Sequence, residues 1–154
     1  FIMRSQYTFT GEHDFVIDSK KRINIPSIFR KQLTSSDKNT FVITRGIDSC
    51  IWVYPMGEWE KIKQELNQLS SLSKTNRTFL RNHLRHAKIV TADDQGRLIL
   101  TKSLIEYAAI LKDITIIGVL NKIEIWDTKT LQRIDSEHTI NEESYEELSK
   151  RVNI

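Results

Sequence analysis

The sequence of 154 residues predicts an α+β protein built from two tandem copies of one strand–hairpin–helix–hairpin unit. Three observations lead to this prediction. An Asp followed four positions later by an Arg occurs twice, in DSKKRINIP (18–26) and again 75 residues later in DDQGRLILT (93–101). Apolar residues alternate with polar ones around both motifs, which is typical of strands. Helical and strand-like patterns then follow both motifs in the same order.

A short hairpin is predicted around each Asp–Arg motif. The alternation runs through FVIDSKKRINI (15–25) and IVTADDQGRLIL (89–100), so each Asp and Arg bracket a three-residue loop and face each other at the strand ends. Gly96 fills the last loop position, where such loops often need a left-handed residue. Lys21 stands there in the first copy, so that loop is either strained or shaped differently.

A short helix is predicted directly after each hairpin. In the first copy, Pro26 suits the first helical position. Ile28, Phe29 and Leu33 then form an apolar stripe. In the second copy, SLIE (103–106) has the spacing of a capping box.

Two β-rich runs joined by a turn come next in each copy. They are FVITRG and CIWVYP in the first copy, and ITIIGVL and IEIWD in the second. The first pair leads into GEWEKIKQELNQL (57–69), whose apolar periodicity predicts a longer helix. Another helix is predicted for RTFLRNHLRHAK (77–88), after the polar linker SSLSKTN.

The order of these elements divides the chain into three parts. We expect residues 7–70 to form a first half-unit with a trailing helix, and residues 76–134 a second half-unit with a leading helix. The two halves are expected to pack as one structural domain. Residues 135–154 are predicted to form an acidic helical extension, because Thr139 and Glu142 have the spacing of a capping box.

Charge is distributed unevenly along the chain. The net charge is +3, but residues 135–154 carry −4 and residues 1–134 therefore carry +7. A basic body with an acidic tail suits a polyanionic partner, although proteins without such a partner share this distribution.

Composition argues against a membrane protein. The chain is 39% hydrophobic and 28% charged, and no apolar run approaches the ~20 residues of a membrane span. The first residues, FIMRSQ, lack the apolar core of a signal peptide. Cys50 is the one cysteine and is interpreted as a small buried apolar residue. These features predict a cytoplasmic protein without a membrane partner.

The sequence contains no recognisable catalytic constellation. Its histidines are scattered, and it has no Gly-rich phosphate loop. His83 and His86 lie three positions apart on a predicted helix and could hold a metal, but histidines so placed are more often ordinary surface or interface residues. We therefore predict a protein that is not an enzyme, with no metal, no cofactor and no small-molecule substrate.

The two loops are the candidate nucleic-acid site. Lys20, Lys21 and Arg22 lie at the tip of a predicted ribbon, and such a ribbon can enter the DNA major groove, where Lys or Arg donates to guanine O6 and N7. A merely basic surface turn is an equally good interpretation of this loop taken alone. The second loop supplies Arg97 as its one cation, with Gln95 beside it. Several protomers with their loops on one face would therefore be needed for tight binding.

A second cationic feature lies on the helix predicted for residues 77–88. Arg77, Arg81 and Arg85 recur every four residues and share one face. Three interpretations stay open: a stripe that faces phosphate, an inter-subunit seam with the acidic C-terminal helix, and a solvated face.

Several segments resemble the MraZ family of bacterial transcriptional regulators, which lies within the AbrB-like swapped-hairpin superfamily. They are HDFVIDSKKRINIPSIFRKQL, FVITRGIDSCIWVYPMGEWEKI, ADDQGRLIL and IEIWD, and the resemblance runs from about Tyr7 to Trp126. It implies a double-split β-barrel built from two tandem half-units. Lys21 departs from the glycine usual at its position, and Thr101 stands where proline is frequent. The extension beyond about residue 135 lies outside the resemblance.

The resemblance also implies a function. It is that of a sequence-specific DNA-binding regulator, acting as a nucleoid-associated, octamer-like ring on short direct repeats upstream of the division and cell-wall gene cluster. The DNA-binding residues that it implies are Lys20, Lys21, Arg22, Gln95 and Arg97. Asp18 and Asp93 are expected to orient the two arginines rather than to touch DNA. The alternative from another class is an oligomeric ring scaffold that binds protein or RNA through the same basic loops.

Overall fold

The structure is a computed structural model and describes residues 5–154, so the interpretation of the FIMRSQ start lies largely outside the described residues. The strands are β1 (Phe9–Val16), β2 (Arg22–Asn24), β3 (Thr40–Arg45), β4 (Ile51–Pro55), β5 (Lys88–Thr91), β6 (Arg97–Ile99), β7 (Asp113–Leu120) and β8 (Lys122–Asp127). The α-helices are α1 (Ser27–Arg30), α2 (Met56–Leu66), α3 (Lys74–Leu84), α4 (Lys102–Tyr107), α5 (Thr128–Glu137) and α6 (Glu142–Val152). The protein is therefore of the predicted α+β class.

The strands form a sheet that is symmetric in its order. Six strands pair antiparallel as β1-β7-β8-β4-β3-β5, and β2 pairs with β6 in a separate two-stranded ribbon. Strands β1 to β4 occupy the same places in the first copy as β5 to β8 in the second. The order therefore reads the same from either edge when copies are exchanged, with β8 and β4 at the centre. This symmetry is what a tandem duplication predicts.

The predicted hairpins around the two Asp–Arg motifs are wrong in their pairing. Strand β1 pairs with β7, β5 pairs with β3, and β2 pairs with β6. The strands on either side of each loop therefore pair with the other copy and not with each other. Apolar alternation identifies a half-buried strand but not its partner, so it cannot distinguish a local hairpin from an exchanged one. The hairpins β3–β4 and β7–β8 form as predicted.

One hydrophobic core joins the two copies. Its fully buried side chains come from both, and they include Phe9, Ile23, Phe41, Leu98, Leu104 and Ile114. Full burial of one such side chain contributes roughly 1.5–3 kcal/mol. Because the strands are exchanged, neither copy encloses this core with its own residues.

The capping boxes predicted for the second copy and for the C-terminal extension are not the caps that begin α4 and α6. Helix α4 follows Thr101, and α6 follows Asn141, and each of these side chains accepts a hydrogen bond from a backbone N–H in the first helical turn. Both residues have the extended backbone of an N-cap. The Ser103–Glu106 and Thr139–Glu142 spacings therefore do not form the caps, because the chain enters each helix elsewhere.

Other local predictions are confirmed in part. In α1, Phe29 is buried and Leu33 packs against the core as predicted, but Ile28 is 59% exposed because the helix is too short to bury a second face. Cys50 is fully buried, as predicted.

The described residues give no sign of a membrane helix or a metal centre. Within residues 5–154, no helix is long and apolar enough to cross a bilayer, and no group of three or more His, Cys, Asp or Glu is placed to hold a metal ion. His83 instead packs against the rings of Trp52, Trp59 and Phe79. This burial lowers the pKa of His83 and favours its neutral form.

Candidate nucleic-acid interface

The first Asp–Arg loop is organised by a single carboxylate. Asp18 Oδ1 accepts hydrogen bonds from the backbone N–H groups of Lys20 and Arg22 at 2.9 and 2.8 Å. Its Oδ2 accepts from Arg22 Nε at 2.6 Å. The Lys21 N–H donates to the Asp18 carbonyl at 3.0 Å and closes the turn. One side chain therefore holds both the loop backbone and the arginine.

The second loop repeats this geometry. Asp93 Oδ1 accepts from the backbone N–H groups of Gln95 and Arg97, both at 2.9 Å, and Oδ2 accepts from Arg97 Nε at 2.7 Å. The Gly96 N–H donates to the Asp93 carbonyl at 2.9 Å. Both motifs thus form the ion pair that their spacing predicts.

The two loops have the same shape in spite of their different sequences. Lys21 has a φ of 63° and Gly96 a φ of 76°, so the first loop is the strained alternative, with a lysine in a left-handed conformation that costs roughly 1–2 kcal/mol for most residues. Gly96 has a second reason to be glycine. A side-chain carbon at this position would overlap the guanidinium of Arg30, whose Nε donates to the Ile25 carbonyl at 3.0 Å.

The β2–β6 ribbon brings the two motif arginines onto one face. Its register opposes Arg22 to Ile99 and Asn24 to Arg97, so these four residues share one face while Ile23 points the other way into the core. Arg22 and Arg97 are then diagonal neighbours, a relation that separates side chains by ~7–8 Å. The exchange of strands therefore joins two loops that are far apart in the sequence.

Both motif arginines keep donors available for a ligand. The ion pair uses Nε, and within residues 5–154 no hydrogen bond is made by the terminal guanidinium nitrogens of Arg22 or Arg97. The backbone N–H groups of Arg22 and Arg97 lower the pKa of Asp18 and Asp93 respectively, and the guanidinium adds to this effect. Both carboxylates are thus held ionised beside their arginines at neutral pH.

The predicted residues are brought together, and three others join them. Lys20, Lys21 and Gln95 are exposed at the loops beside Arg22 and Arg97. The additional residues on this surface are the exposed Asn24 and Ile99, and Arg30 under the second loop. Alternation places Asn24 and Ile99 on the outward face of their strands, but only the β2–β6 register shows that they meet.

The arginine stripe of α3 is not uniform. Arg77 Nη1 donates to the carbonyls of Ser71 and Leu72 at 2.9 and 3.1 Å, so this arginine secures the segment before α3. Arg81 and Arg85 are exposed. Of the three arginines in the stripe, Arg81 and Arg85 are therefore the two available to a ligand. The stripe lies on α3 and not on the elements that carry the loops.

Two interlocked copies of one unit, with a motif arginine from each on a shared exposed ribbon, define a duplicated swapped-strand protein. A sequence model of the family described as "MraZ protein, putative antitoxin-like" matches residues 8–82 and 83–152. The chain belongs to the MraZ family. The match reaches residue 152, so it includes α6 and corrects the expectation that the extension beyond about residue 135 lies outside. The two matched segments meet between residues 82 and 83, within α3.

Curated relatives agree with this membership over nearly the whole chain. A protein of Halothermothrix orenii is 44% identical over 92% of this chain and 94% of its own length. A protein of Pediococcus pentosaceus is 38% identical over 94% of this chain and 96% of its own. One of Clostridium acetobutylicum is 42% identical over 77% and 80%. Each is named "Transcriptional regulator MraZ", so the family is one of regulators and not of enzymes.

Proposed function

We propose that this protein is a sequence-specific DNA-binding transcriptional regulator that contacts DNA through the exposed face of the β2–β6 ribbon and its two loops. One observation carries the proposal: Arg22 and Arg97 share that face, and the terminal donors of each have no partner within residues 5–154. Two such arginines can serve the bidentate geometry of guanine or phosphate. The names of the curated relatives support the regulatory role.

The loop residues have distinct proposed roles. Arg22 and Arg97 donate to base edges or phosphates, and the exposed Lys20 and Lys21 add phosphate neutralisation. Gln95, also exposed, has an amide that both donates and accepts. Asp18 and Asp93 orient the arginines, because each holds an Nε by its Oδ2.

A single protomer makes too few base contacts to recognise a specific DNA site. Each good bidentate base contact discriminates by only ~1–3 kcal/mol, and one copy of the chain carries two motif arginines. We therefore propose a ring-shaped, octamer-like homo-oligomer that reads short direct repeats, upstream of the division and cell-wall gene cluster, so that specificity accumulates over protomers. Such a protein would be cytoplasmic and nucleoid-associated.

The finer fold description belongs to the same proposal. A double-split β-barrel would arise if the β2–β6 ribbon closes over the six-stranded sheet. The shared core of the two copies supports this arrangement, since Ile23 and Leu98 of the ribbon pack with residues of the sheet.

Substitution of one motif arginine tests the proposed surface. Arg22→Ala should lower affinity for an operator with direct repeats at least ~10-fold in a gel-shift titration, while size-exclusion chromatography shows unchanged assembly. Arg133→Ala is the matched control, because Arg133 is an exposed arginine on α5, an element that carries neither motif loop. Normal operator binding by Arg22→Ala would refute the loop assignment.

A comparison of DNA sequences separates the proposal from its rival. At physiological salt, a regulator should retain DNA with short direct repeats more strongly than scrambled DNA of equal length. A ring scaffold that binds protein or RNA through the basic loops should show no such preference. Selection of bound sequences from a random DNA pool would then identify the operator.

A further inference from the structure

Helix α6 presents an apolar stripe that no other part of residues 5–154 covers. All residues of the helix are exposed except the half-buried Ser149. Tyr145, Leu148 and Val152 lie three and four positions apart, on one face, and are 63%, 48% and 63% exposed. An amphipathic helix of this length is marginal in water and gains its stability by burying such a face.

The rest of α6 is acidic. Glu142, Glu143, Glu146 and Glu147 stand against Lys150 and Arg151, and Glu147 pairs with Arg151 at 3.2 Å. The first turn carries two of the glutamates. The surface that receives this helix should therefore combine exposed apolar side chains with cations.

A groove beside α3 has exposed apolar side chains and cations. Two shallow cavities of about 410 and 310 Å³ share Phe79 and Asn82 in their linings, so they adjoin along the helix. Phe79 is 46% exposed within them, and Ile47 at their far end is 78% exposed. We call this surface, from Lys74 to Ile47, the α3 groove.

The α3 groove is also cationic. Helix α3 contains no acidic residue, and Lys74 lines the groove at one end. At the other end the guanidinium of Arg45 lies 4.5 Å from the ring centre of Tyr107. The buried Nε of Arg45 has no hydrogen-bond partner among the residues that the structure describes. A buried donor without a partner is costly, and a carboxylate brought into the groove offers an acceptor close to it.

We propose that α6 of one copy docks in the α3 groove of a second copy of this chain. The apolar stripe covers Phe79 and Ile47, while the glutamates lie beside the cations of α3 and Arg45. The occupant is a second copy because charge and apolar character complement each other between these two surfaces, and both surfaces are exposed in residues 5–154 of the single chain.

The contact joins two different surfaces and therefore has a direct consequence for assembly. A heterologous, head-to-tail contact generates a closed ring when its rotation closes and a filament when it does not. This inference rests on the ring of the proposed function and supplies the interface on which such a ring would depend. It does not involve the β2–β6 ribbon, so the loops stay free for DNA.

Two exposed apolar residues allow the contact to be tested from both sides. Leu148→Lys should remove the helix side and Ile47→Glu the groove side, each leaving a folded protein that elutes at the mass of a monomer in size-exclusion chromatography with light scattering. Leu111→Glu is the matched control, since Leu111 is 83% exposed but lies outside the groove. It should assemble as the unsubstituted protein does.

Mixing the two variants tests whether the helix of one copy binds the groove of another. Leu148→Lys keeps an intact groove and Ile47→Glu an intact helix, so an equimolar mixture should form complexes that contain both variants through the restored contact. Absence of such mixed complexes, or assembly by either variant alone, would overturn the proposal. Arg22→Ala should assemble fully while losing operator DNA, so loss of assembly and loss of DNA recognition can be observed separately.

Discussion

At the scale of single residues, the interface depends on the carboxylates that organise its loops. Each accepts two backbone N–H groups with one oxygen and an arginine Nε with the other. The arginine is thereby held at one nitrogen and left with its terminal donors for a partner. A long flexible side chain prepared in this way loses less conformational entropy when it binds.

Neutralising one of these carboxylates should reduce specificity without reducing general attraction to DNA. Asp93→Asn removes the charge partner of Arg97, and we expect the ratio of operator to scrambled-DNA affinity to fall about 5–10-fold. Affinity for scrambled DNA should not fall, because a negative charge near phosphate is lost. Competition binding measures both affinities. Asp94→Asn, which removes the neighbouring exposed charge, is the control; an equal effect of both variants would contradict an orienting role.

Substitution of the strained Lys21 should change the stability of the protein and its DNA affinity in opposite directions. Lys21→Gly should raise the free energy of unfolding by about 0.5–1 kcal/mol, because glycine accepts the left-handed conformation and the relief exceeds its entropic cost. The same change should weaken DNA binding and reduce the salt slope by about one unit per protomer bound. Urea denaturation and salt titration measure the two effects, and a less stable variant would show that the lysine is not strained.

Much of this residue-scale chemistry could be predicted from the sequence, because it is local. The Asp–Arg spacing predicted both ion pairs, and Gly96 indicated a left-handed turn in the second loop. For Lys21 in the first loop, a strained turn was one of two alternatives that the sequence left open. The position of Arg30 under Gly96 could not be predicted, since it joins two copies through the exchanged ribbon.

At the scale of elements, a buried carboxylate joins three segments of the first copy. Asp37, 1% exposed, accepts from the Tyr7 hydroxyl at 2.7 Å, from the Thr34 N–H at 2.9 Å, and from the Gly57 N–H in the first turn of α2 at 2.8 Å. In the second copy the corresponding hydrogen bond has its carboxylate at the start of the helix and its N–H donor in the segment before the strand. There Asp127, the N-cap of α5, accepts from the Leu111 N–H of the segment before β7.

Loss of the Asp37 carboxylate should therefore destabilise the first copy's framework. Asp37→Ala leaves a buried hydroxyl and two N–H groups without their acceptor, and we expect the free energy of unfolding to fall by roughly 2–4 kcal/mol. Denaturant titration measures this change. The exposed Asp135→Ala on α5 should change it by less than about 0.5 kcal/mol. Equal effects would mean that the buried network is not stabilising.

The packing of His83 makes stability depend on pH. Its pKa is lowered by burial among aromatic rings, so the unfolded chain takes up a proton more readily than the folded one. The free energy of unfolding should therefore fall as pH drops below the ordinary histidine pKa of about 6.5. His83→Phe should lose less stability between pH 7.5 and 5.5 in urea titrations. Part of the dependence remains, because burial and nearby arginines lower the pKa of His86 too.

Element-scale predictions succeeded where pairing is local. The β3–β4 and β7–β8 hairpins follow from alternation and short turns. The pairing partners of four strands could not be predicted in this way; these strands are β1, β2, β5 and β6. A turn closed by a side chain has the same sequence pattern whether its strands pair with each other or with the other copy. Sequential strands are neighbours in most sheets, and duplication makes this protein an exception.

At the scale of the whole molecule, the exchange joins two sequence repeats through one sheet and one hydrophobic core. Each copy supplies strands to the other's edge, and the central pair β4–β8 takes one strand from each. Both motif loops reach the same ribbon for the same reason. The proposed DNA surface and the hydrophobic core are therefore consequences of one topological feature.

This exchange predicts how the chain behaves when it is divided. Fragments 1–71 and 72–154, separated before α3, should each lack a cooperative urea transition at micromolar concentration, because β1 is without β7 and β2 is without β6. An equimolar mixture should recover a single transition and a one-to-one complex by native mass spectrometry. A homodimer of the first fragment is disfavoured, because Arg30 would then lie beneath a lysine instead of Gly96. Full cooperative folding of either fragment alone would show that the exchanged strands are not what joins the copies.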